Sequence, residues 1–301
     1  MSLRVREALV DAERRLTSAG VPSGRHDAEA LMCLLLQVPR GRLDLGKHLS
    51  ERENRKFSEL ITTRSKRVPL QHITGIAPFR HIELEVGPGV FVPRPETELP
   101  VEAALRHLKQ QVADHQRAKV FDLGSGSGAI AISLAVECGH VDVVAVEKSG
   151  EAITWLEKNI AAHLAQIEKA NSTLVVEAAD FTQPISDWAP TFVRDVDLVI
   201  SNPPYVPDQA QPREPEVANY DPPLALYGGA DGLDVTRAVI ANAAELLKSG
   251  GLLVIEHGDE QGVGAGTSGV PGLVKDSGNF HDVNDRLDLN AKPRFTTAVR
   301  K

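Results

Sequence analysis

The sequence contains little cysteine, few aromatic residues and no long apolar run. Two of its 301 residues are cysteines and 4% are aromatic. Cys33 and Cys138 both fall within helical patterns, so we expect small core side chains rather than reactive thiols, and this usage favours a reducing cytoplasm. No apolar run reaches the roughly 18 residues of a membrane-spanning helix, and the first residues include Arg4, Arg6 and Glu7 instead of an apolar signal segment. The chain therefore predicts a cytoplasmic globular protein without membrane association.

The sequence also lacks the excess of basic residues that proteins binding duplex DNA carry. The formal net charge is −8 at pH 7; residues 1–70 hold 14 Lys and Arg against 9 Asp and Glu, whereas residues 71–301 hold 19 against 32. Because phosphate binding needs a neutralising surface, we expect no direct sequence-specific contact with nucleic acid. The basic first part is the candidate for docking a partner. In it, Arg64, Lys66 and Arg67 form either a docking surface or, the interpretation we favour, a solvated helix end.

Helical patterns fill the first 70 residues. Residues 3–18 place apolar side chains at helical spacing. Asp27 is a candidate cap for a second helix that runs to Val38, and Ser50 with Glu53 forms a capping box for a third. Three short helices predict a small N-terminal bundle.

A β-hairpin is expected next. Residues 81–86 alternate polar with apolar side chains, 87–89 read Gly-Pro-Gly, and 90–92 return as an apolar strand. This hairpin predicts a linker between two domains, which we place at 76–95.

From Lys119 onwards strands alternate with helices, which predicts a parallel sheet. The first strand leads into a glycine-rich loop and a helix, where a ligand can contact the backbone at the helix N-terminus. The second strand ends in Glu147, close to the spacing at which an acidic side chain accepts hydrogen bonds from ribose hydroxyls. Together these elements predict a nucleoside site. The loop residues are Gly124, Ser125, Gly126, Ser127 and Gly128.

A later strand, 196–201, ends in Asn-Pro-Pro-Tyr. Two prolines cannot donate to a ladder, so the strand stops at Asn202. The carboxyl end of a core strand is where ligands bind in open α/β sheets. A planar NH2 group can donate to the Asn202 side-chain oxygen and to the Pro203 carbonyl, with Tyr205 packed on its face. The alternative is a simple turn in which Asn202 caps the loop.

Two residues after the third strand of this series extend the nucleoside site. Asp180 can accept from an adenine amino group while the Phe181 ring lies against the base. A loop-capping aspartate and a core phenylalanine are the alternative interpretations.

The C-terminal part carries weaker signals. Residues 206–231 and 258–272 show no helical period, so we expect loops, the second of them flexible. His257 is a lone histidine at a strand end, where a structural role is favoured over a catalytic one. Residues 283–289 and 295–299 predict a closing antiparallel pair.

The tetrapeptide resembles the signature of methyltransferases that modify a planar amide or exocyclic amino nitrogen. With the other motifs, in order over about residues 1–260, the chain resembles the peptide chain release factor glutamine N(5)-methyltransferases. The motifs that carry the resemblance are Pro69-Leu-Gln-His-Ile-Thr-Gly75, Pro93-Arg-Pro-Glu-Thr-Glu98, Gly124 to Gly128, Asn202-Pro-Pro-Tyr205, Ala225-Leu-Tyr-Gly-Gly-Ala-Asp-Gly-Leu233 and Glu256-His-Gly258.

This resemblance implies an N-terminal helical substrate-docking domain at 1–75, the hairpin linker, and a seven-stranded Rossmann-like α/β domain at 96–301 that binds S-adenosylmethionine (AdoMet) and releases S-adenosylhomocysteine. The implied cofactor contacts are Gly124, Ser125, Gly126, Ser127, Gly128, Glu147, Asp180, Phe181 and Asn202. The implied glutamine contacts are Asn202, Pro203, Pro204 and Tyr205, of which Asn202, Pro203 and Tyr205 are assigned to catalysis. The chain departs from the family pattern at Phe181, at His257 and in the glycine-rich 258–272.

The function predicted is methyl transfer from AdoMet to the side-chain amide of a glutamine, that of the Gly-Gly-Gln motif of release factors, by a monomer without a metal ion. Nearer alternatives are a glutamine methyltransferase acting on a ribosomal protein and an amino-methylating adenine methyltransferase. From other classes, Gly124-x-Gly126-x-x-Ala129 formally permits an NAD-dependent dehydrogenase, and a non-catalytic binding module is also open.

Overall fold

The computed structural model describes residues 3–112 and 117–301. These form two compact units, one comprising residues up to Ile76 together with Arg213–Tyr220, and the other Ala77–Pro212 with Asp221–Lys301. The helices are α1 Val5–Ser18, α2 Gly24–Leu36, α3 Glu51–Ser65, α4 Leu70–Thr74, α5 Glu98–Gln111, α6 Ala129–Cys138, α7 Gly150–Lys169, α8 Pro215–Tyr220, α9 Pro223–Leu226, α10 Asp234–Leu246 and α11 Val270–Asp276. The strands are β1 Ile76–Phe79, β2 Ile82–Glu85, β3 Ala118–Leu123, β4 Val141–Glu147, β5 Thr173–Ala178, β6 Val196–Ser201, β7 Leu247–Glu256, β8 Phe280–Leu287 and β9 Pro293–Arg300.

The smaller unit is the predicted helical bundle. Helices α1, α2 and α3 pack around one apolar cluster that includes Leu9, Leu31 and Ile61. The capping box that starts α3 is present: the Ser50 hydroxyl accepts from the Glu53 amide at 3.2 Å, and the Glu53 carboxylate accepts from the Ser50 amide at 2.7 Å. These reciprocal bonds satisfy two of the donors that a helix start leaves open.

Asp27 and the basic cluster differ from expectation. Asp27 lies inside α2, buried, and pairs with the Arg64 guanidinium at 2.8 Å. Arg64 also pairs with Glu216 of α8 at 2.8 Å, and Glu216 binds Arg67 as well. Only Lys66 of the predicted solvated helix end is exposed. Buried charges are retained where ion pairs compensate their desolvation, so Arg64 and Arg67 hold the unit together instead of facing solvent.

The hairpin exists, but its strands lie earlier than predicted. It consists of β1 and β2, and its turn is at Arg80 and His81, with Arg80 at φ 50°. The Arg80 amide donates to Glu98 and its guanidinium pairs with Glu137 at 2.7 Å. Gly-Pro-Gly at 87–89 follows the hairpin and does not form its turn. Side-chain contacts of Arg80 therefore support a turn that carries no local glycine or asparagine signal.

A seven-stranded sheet forms the larger unit, in the order β5-β4-β3-β6-β7-β9-β8. Strands β3, β4, β5, β6 and β7 are parallel to one another, and β9 is antiparallel to both β7 and β8. Asp122 of β3 is in register with Ala145 of β4 and Ile200 of β6, so the carboxyl ends of these strands meet at one edge. The predicted seven-stranded α/β fold and its closing antiparallel pair are confirmed.

The two predicted loops contain short helices. Residues 206–231 include α8 and α9, and residues 258–272 include two 3₁₀ segments and the start of α11. Each of the three α-helices has proline in its first turn, at Pro215, Pro223 and Pro271. Proline is pre-organised for the first position of a helix, so proline and glycine content there did not exclude helices.

Neither cysteine forms a disulfide, and each lies inside a helix, Cys33 in α2 and Cys138 in α6. Within residues 3–112 and 117–301, no helix combines the length and apolar character needed to cross a membrane.

Candidate active site

The glycine loop joins β3 to α6 with its glycines in the left-handed region. Gly124, Gly126 and Gly128 have φ of 81°, 56° and 90°. A Cβ atom on Gly128 would lie 2.7 Å from the Leu156 side chain. Side chains rarely tolerate such backbone angles, so the sharp turn into the helix requires these glycines.

The Glu147 carboxylate lies beside this loop and accepts backbone hydrogen bonds. Its Oε2 atom accepts from the Gly126 amide at 2.9 Å, and its Oε1 atom accepts from the amides of Lys148 and Ser149, each at 2.9 Å. A carboxylate oxygen carries more than one lone pair, so acceptor capacity is left for ligand hydroxyls. The structure thus brings Glu147 and the glycine loop together, and the backbone bonds fix the carboxylate there.

Sequence reasoning missed Asp122, the residue two positions before the loop. It is fully buried, and neither carboxylate oxygen has a well-aligned hydrogen-bond partner in the described part of the chain. Burial raises the pKa of Asp122 to about 7, and the nearby Glu147 charge adds to the shift. An unpaired buried carboxyl fits a ligand that brings a cationic group. Its signal in the sequence was an acid near the carboxyl end of a mostly apolar strand, just before the glycine loop.

Asp180 and Phe181 lie at the carboxyl end of β5. Asp180 Oδ1 accepts from the amide and the hydroxyl of Thr182 at 3.0 and 2.6 Å, so the loop-capping contact is present, while Oδ2 faces the Lys148 ammonium at 3.5 Å. Phe181 is buried, and a Cβ atom on Gly124 would be 3.6 Å from its ring. The structure therefore brings the Phe181 ring to the glycine loop, and Asp180 has a structural contact beside its predicted role.

Asn202 directly follows β6. The hydroxyl of Ser201, the last strand residue, donates to the Leu123 carbonyl at 2.6 Å, which ties the ends of β6 and β3. The Asn202 Nδ2 atom donates to the Thr97 hydroxyl at 3.3 Å. With Nδ2 directed at Thr97, Oδ1 is the atom left to accept from a ligand.

The motif Ala225–Leu233 holds the chain that follows Asn202. The Val206 amide donates to the Leu226 carbonyl at 2.8 Å, and the Gly228 amide donates to the Val206 carbonyl at 2.9 Å. A Cβ atom on Gly228 would lie 2.4 Å from the Pro204 carbonyl oxygen. The glycines of this motif therefore permit close backbone packing against the tetrapeptide.

Gly232 makes the second close approach. Its φ is 75°, and a Cβ atom there would lie 2.4 Å from the Tyr205 carbonyl oxygen. The Gln261 Nε2 atom donates to the same oxygen at 3.0 Å. The glycines of this motif were the sequence signal for close packing against the tetrapeptide. No sequence signal indicated that Gln261 bonds to Tyr205.

Glu256 is the last residue of β7, and His257 follows it. Glu256 is 2% exposed, and burial raises its pKa to about 7 against the opposing effect of hydrogen bonding with Thr97. Burial, followed by the charge of Glu256, also raises the pKa of Tyr205. His257 is fully buried, with its ring nitrogens 2.9 Å from the Gly258 carbonyl and 3.1 Å from the Thr296 hydroxyl. These contacts account for the burial of His257. Glu256 lies next to Asn202 in the sheet, and it was not among the predicted site residues.

Comparison with known proteins identifies the family. A model of the PrmC N-terminal domain matches residues 7–75, and one of the methyltransferase small domain matches residues 87–219. The chain is 42% identical over 297 residues to the release factor glutamine methyltransferase of Mycolicibacterium smegmatis, covering 99% of this chain and 98% of that one. The proteins of the same description from Streptomyces coelicolor (40%, covering 96% of each chain) and Mycobacterium tuberculosis (38%, covering 99% and 92%) are also similar.

The chain belongs to the release factor glutamine methyltransferase family. The resemblance recognised in the sequence motifs is confirmed, and so is the predicted class, an AdoMet-dependent methyltransferase. The dehydrogenase alternative is wrong, since the loop that formally satisfied the dinucleotide pattern belongs to a methyltransferase domain.

The residues present fit AdoMet. AdoMet carries a sulfonium and an ammonium group, and Asp122 offers two unpartnered carboxylate oxygens at the head of the glycine loop. It also carries a ribose with two hydroxyls, and Glu147 holds its carboxylate beside Gly126 with spare acceptor capacity. These two carboxyl groups and the Phe181 ring match the charge, the sugar and the base of one molecule.

Proposed function

We propose that this enzyme methylates the side-chain amide nitrogen of the glutamine in the Gly-Gly-Gln motif of peptide chain release factors. The observation that supports the proposal is the environment of Asn202: it follows β6, whose end is bonded to the end of β3, its Nδ2 atom donates to Thr97, and Oδ1 is left to accept. The names of the full-length relatives support the choice of substrate.

In this proposal the substrate amide donates hydrogen bonds to two acceptors. Asn202 Oδ1 takes one hydrogen of the glutamine NH2 group and the Pro203 carbonyl takes the other, while Pro204 and Tyr205 pack against the amide plane. An amide nitrogen is a poor nucleophile because its lone pair is delocalised into the carbonyl. Holding both hydrogens orients the nitrogen, and reacting atoms kept about 3–3.5 Å apart react as an effectively unimolecular pair.

AdoMet supplies an electrophilic methyl group on a sulfonium. We assign its binding to the loop from Gly124 to Gly128, to Glu147, Asp180 and Phe181, and to Asn202. The half-buried Tyr205 and the buried Phe181 exclude water from the reacting groups. Transfer disperses the sulfonium charge, so a dry pocket favours it.

The helical unit is assigned to docking of the intact release factor. Its first 70 residues have a basic excess, and Arg55 and Lys56 on α3 are exposed. Arg55→Glu should raise the KM for the whole factor and leave the KM for a short Gly-Gly-Gln peptide unchanged. Lys275→Glu, which reverses an exposed charge on α11 in the other unit, is the matched control. Equal KM effects of both variants would remove the docking assignment.

We place the enzyme in the cytoplasm as a monomer, where its two unpaired cysteines stay reduced. Sedimentation of the purified full-length chain tests the monomer.

The decisive test is transfer of a radiolabelled methyl group from AdoMet to a release factor. Label should enter the wild-type factor, and it should be absent from a factor whose Gly-Gly-Gln glutamine is replaced by alanine. Mass spectrometry of the labelled peptide locates the methyl group. Label that enters a ribosomal protein or DNA instead of the factor would refute the proposed substrate.

A further inference from the structure

Glu256 occupies the position beside Asn202 in the sheet. Ser201 of β6 is in register with Ile255 of β7, so the next residues, Asn202 and Glu256, are neighbours at the ends of two parallel strands. On its other side Glu256 is in register with Phe295 of β9. The carboxylate is 2% exposed, and its Oε2 atom has no hydrogen-bond partner within the described ranges.

Burial raises the pKa of the Glu256 carboxyl group, and the adjacent side chains of Thr97 and, to a smaller extent, Asn202 lower it by hydrogen bonding. Asn202 Nδ2 also lies 3.3 Å from the Thr97 hydroxyl, so the three side chains form one cluster. An ionised carboxylate is an acceptor only, whereas a hydroxyl both donates and accepts. Of the two ends of the Asn202 amide, only Nδ2 can donate to Glu256, and Thr97 cannot make this selection by itself.

We propose that Glu256 is a positioning residue that fixes the rotation of the Asn202 amide, so that Oδ1 faces the glutamine NH2 group. The inference rests on the proposed function, because it specifies how Asn202 recognises the substrate amide. With Glu256 removed, the amide is free to rotate by 180°. It then presents its own NH2 group to the substrate NH2 group, and two donors cannot bond to each other.

The ionisation of Glu256 controls this selection. Burial has the largest effect and raises the pKa of Glu256 to about 7. Hydrogen bonding with Thr97 and the charge of Arg294 in β9 lower it, the charge of Glu96 raises it, and Tyr205 interacts with the same carboxyl group. A protonated Glu256 can donate to Asn202 Oδ1 and hold the opposite rotamer. Turnover should therefore rise about tenfold between pH 6 and pH 8 as the carboxyl group ionises.

The first experiment measures single-turnover methyl transfer from pH 6 to pH 8 with AdoMet and a glutamine substrate saturating. Glu256→Gln keeps a carbonyl acceptor and has no charge to lose, so we expect turnover at pH 8 within about fivefold of wild type and no rise with pH. Glu256→Leu offers no acceptor, and we expect a loss of about 10- to 100-fold in turnover with the AdoMet Kd within twofold.

Asp122 also has a pKa of about 7 and provides the control. If Glu256 is the titrating group, Asp122→Asn should keep the rise with pH at saturating AdoMet. A rise that disappears in Asp122→Asn and persists in Glu256→Gln would overturn the proposal.

The second experiment needs no substrate. In the full-length enzyme with ¹⁵N-labelled asparagine, the Asn202 side-chain NH2 resonance, identified by its loss in Asn202→Asp, should shift with a midpoint near pH 7 in wild type and stay constant in Glu256→Gln. If it does so while release factors accept no methyl group, the substrate assignment fails and the Glu256 role stands. A resonance that does not titrate in wild type overturns the Glu256 role, whatever the substrate.

Discussion

Gly232→Ala should slow methyl transfer by about 100-fold, although Gly232 contacts no substrate atom in the proposed mechanism. Two effects follow from its geometry. A φ of 75° places an added side chain in the left-handed region, which costs about 1–2 kcal/mol of folding free energy. The added Cβ atom would also lie 2.4 Å from the Tyr205 carbonyl oxygen and 3.0 Å from the Pro207 nitrogen, both backbone atoms.

A contact of 2.4 Å has to open by about 1 Å to reach ordinary van der Waals distance, which is about 3.5 Å for heavy atoms. The Gln261 bond to the same carbonyl opposes that movement. The displacement therefore passes to Tyr205 and, through two rigid prolines, to Asn202. A misplacement of about 1 Å reduces turnover by roughly 100-fold when the reacting groups must be aligned.

Gly250→Ala is the matched control. Gly250 has a similar φ of 81°, and an added Cβ atom there meets no atom within 4 Å. Gly250→Ala should lose about 1–2 kcal/mol in the free energy of unfolding measured with urea. Gly232→Ala should lose more, because its added Cβ atom also displaces backbone atoms. Only Gly232→Ala should lose single-turnover methyl transfer to a Gly-Gly-Gln peptide at saturating AdoMet. Turnover of Gly232→Ala within threefold of Gly250→Ala would refute the claim that this contact sets the position of the tetrapeptide.

Four further predictions test the site and the contacts that support the fold. Asn202→Ala should reduce turnover by about 10²- to 10³-fold while the AdoMet Kd changes less, because one of two groups that orient the nucleophile is lost; a loss under tenfold in the folded variant would leave Asn202 as a turn residue. Glu147→Ala should weaken AdoMet binding in calorimetry by about 1.5–3 kcal/mol for a lost charged acceptor, and unchanged affinity would exclude it from the site. Glu216→Ala leaves the buried Arg64 with Asp27 as its remaining carboxylate partner. It should lower the free energy of unfolding measured with urea by about 3 kcal/mol. The control Asp11→Ala removes an exposed ion pair with Arg14 and should lower it by less than about 0.5 kcal/mol. Because burial raises the pKa of Glu256 in the folded state, stability that is present below its unfolded pKa is lost as the carboxyl group ionises towards pH 8. Between pH 5 and pH 8, the free energy of unfolding of wild type should therefore fall by about 2 kcal/mol more than that of Glu256→Gln. Equal losses would contradict the raised pKa.

The order of strands and helices in the larger unit could be predicted because those signals are local. Apolar β-branched runs, the glycine loop and the terminal Glu147 each follow from a few consecutive residues. The hairpin was displaced because its turn, at Arg80 and His81, depends on contacts with Glu98 and Glu137. No local pattern carries that information.

Some residues of the candidate site could be predicted from local sequence, and others could not. Asn202 and Glu147 were selected because each stands at the end of a recognisable strand. Glu256 also ends a strand and Asp122 stands one residue before the end of another, but their raised pKa values come from burial, which only packing creates. The ion pair of Arg64 with Glu216 joins residues 152 positions apart, so charge counts along the chain gave it the opposite interpretation, a solvated helix end.

By itself, the sequence determined the fold class, the glycine loop, the tetrapeptide and the family that they indicate, because backbone conformation and hydrophobic period are encoded in neighbouring residues. Only the tertiary structure decided which carboxyl groups are buried, which glycines face a backbone oxygen and which end of the Asn202 amide has a partner. These properties depend on atoms brought together from strands and loops that are distant in sequence, and desolvation and hydrogen bonding act at distances of a few ångströms in space.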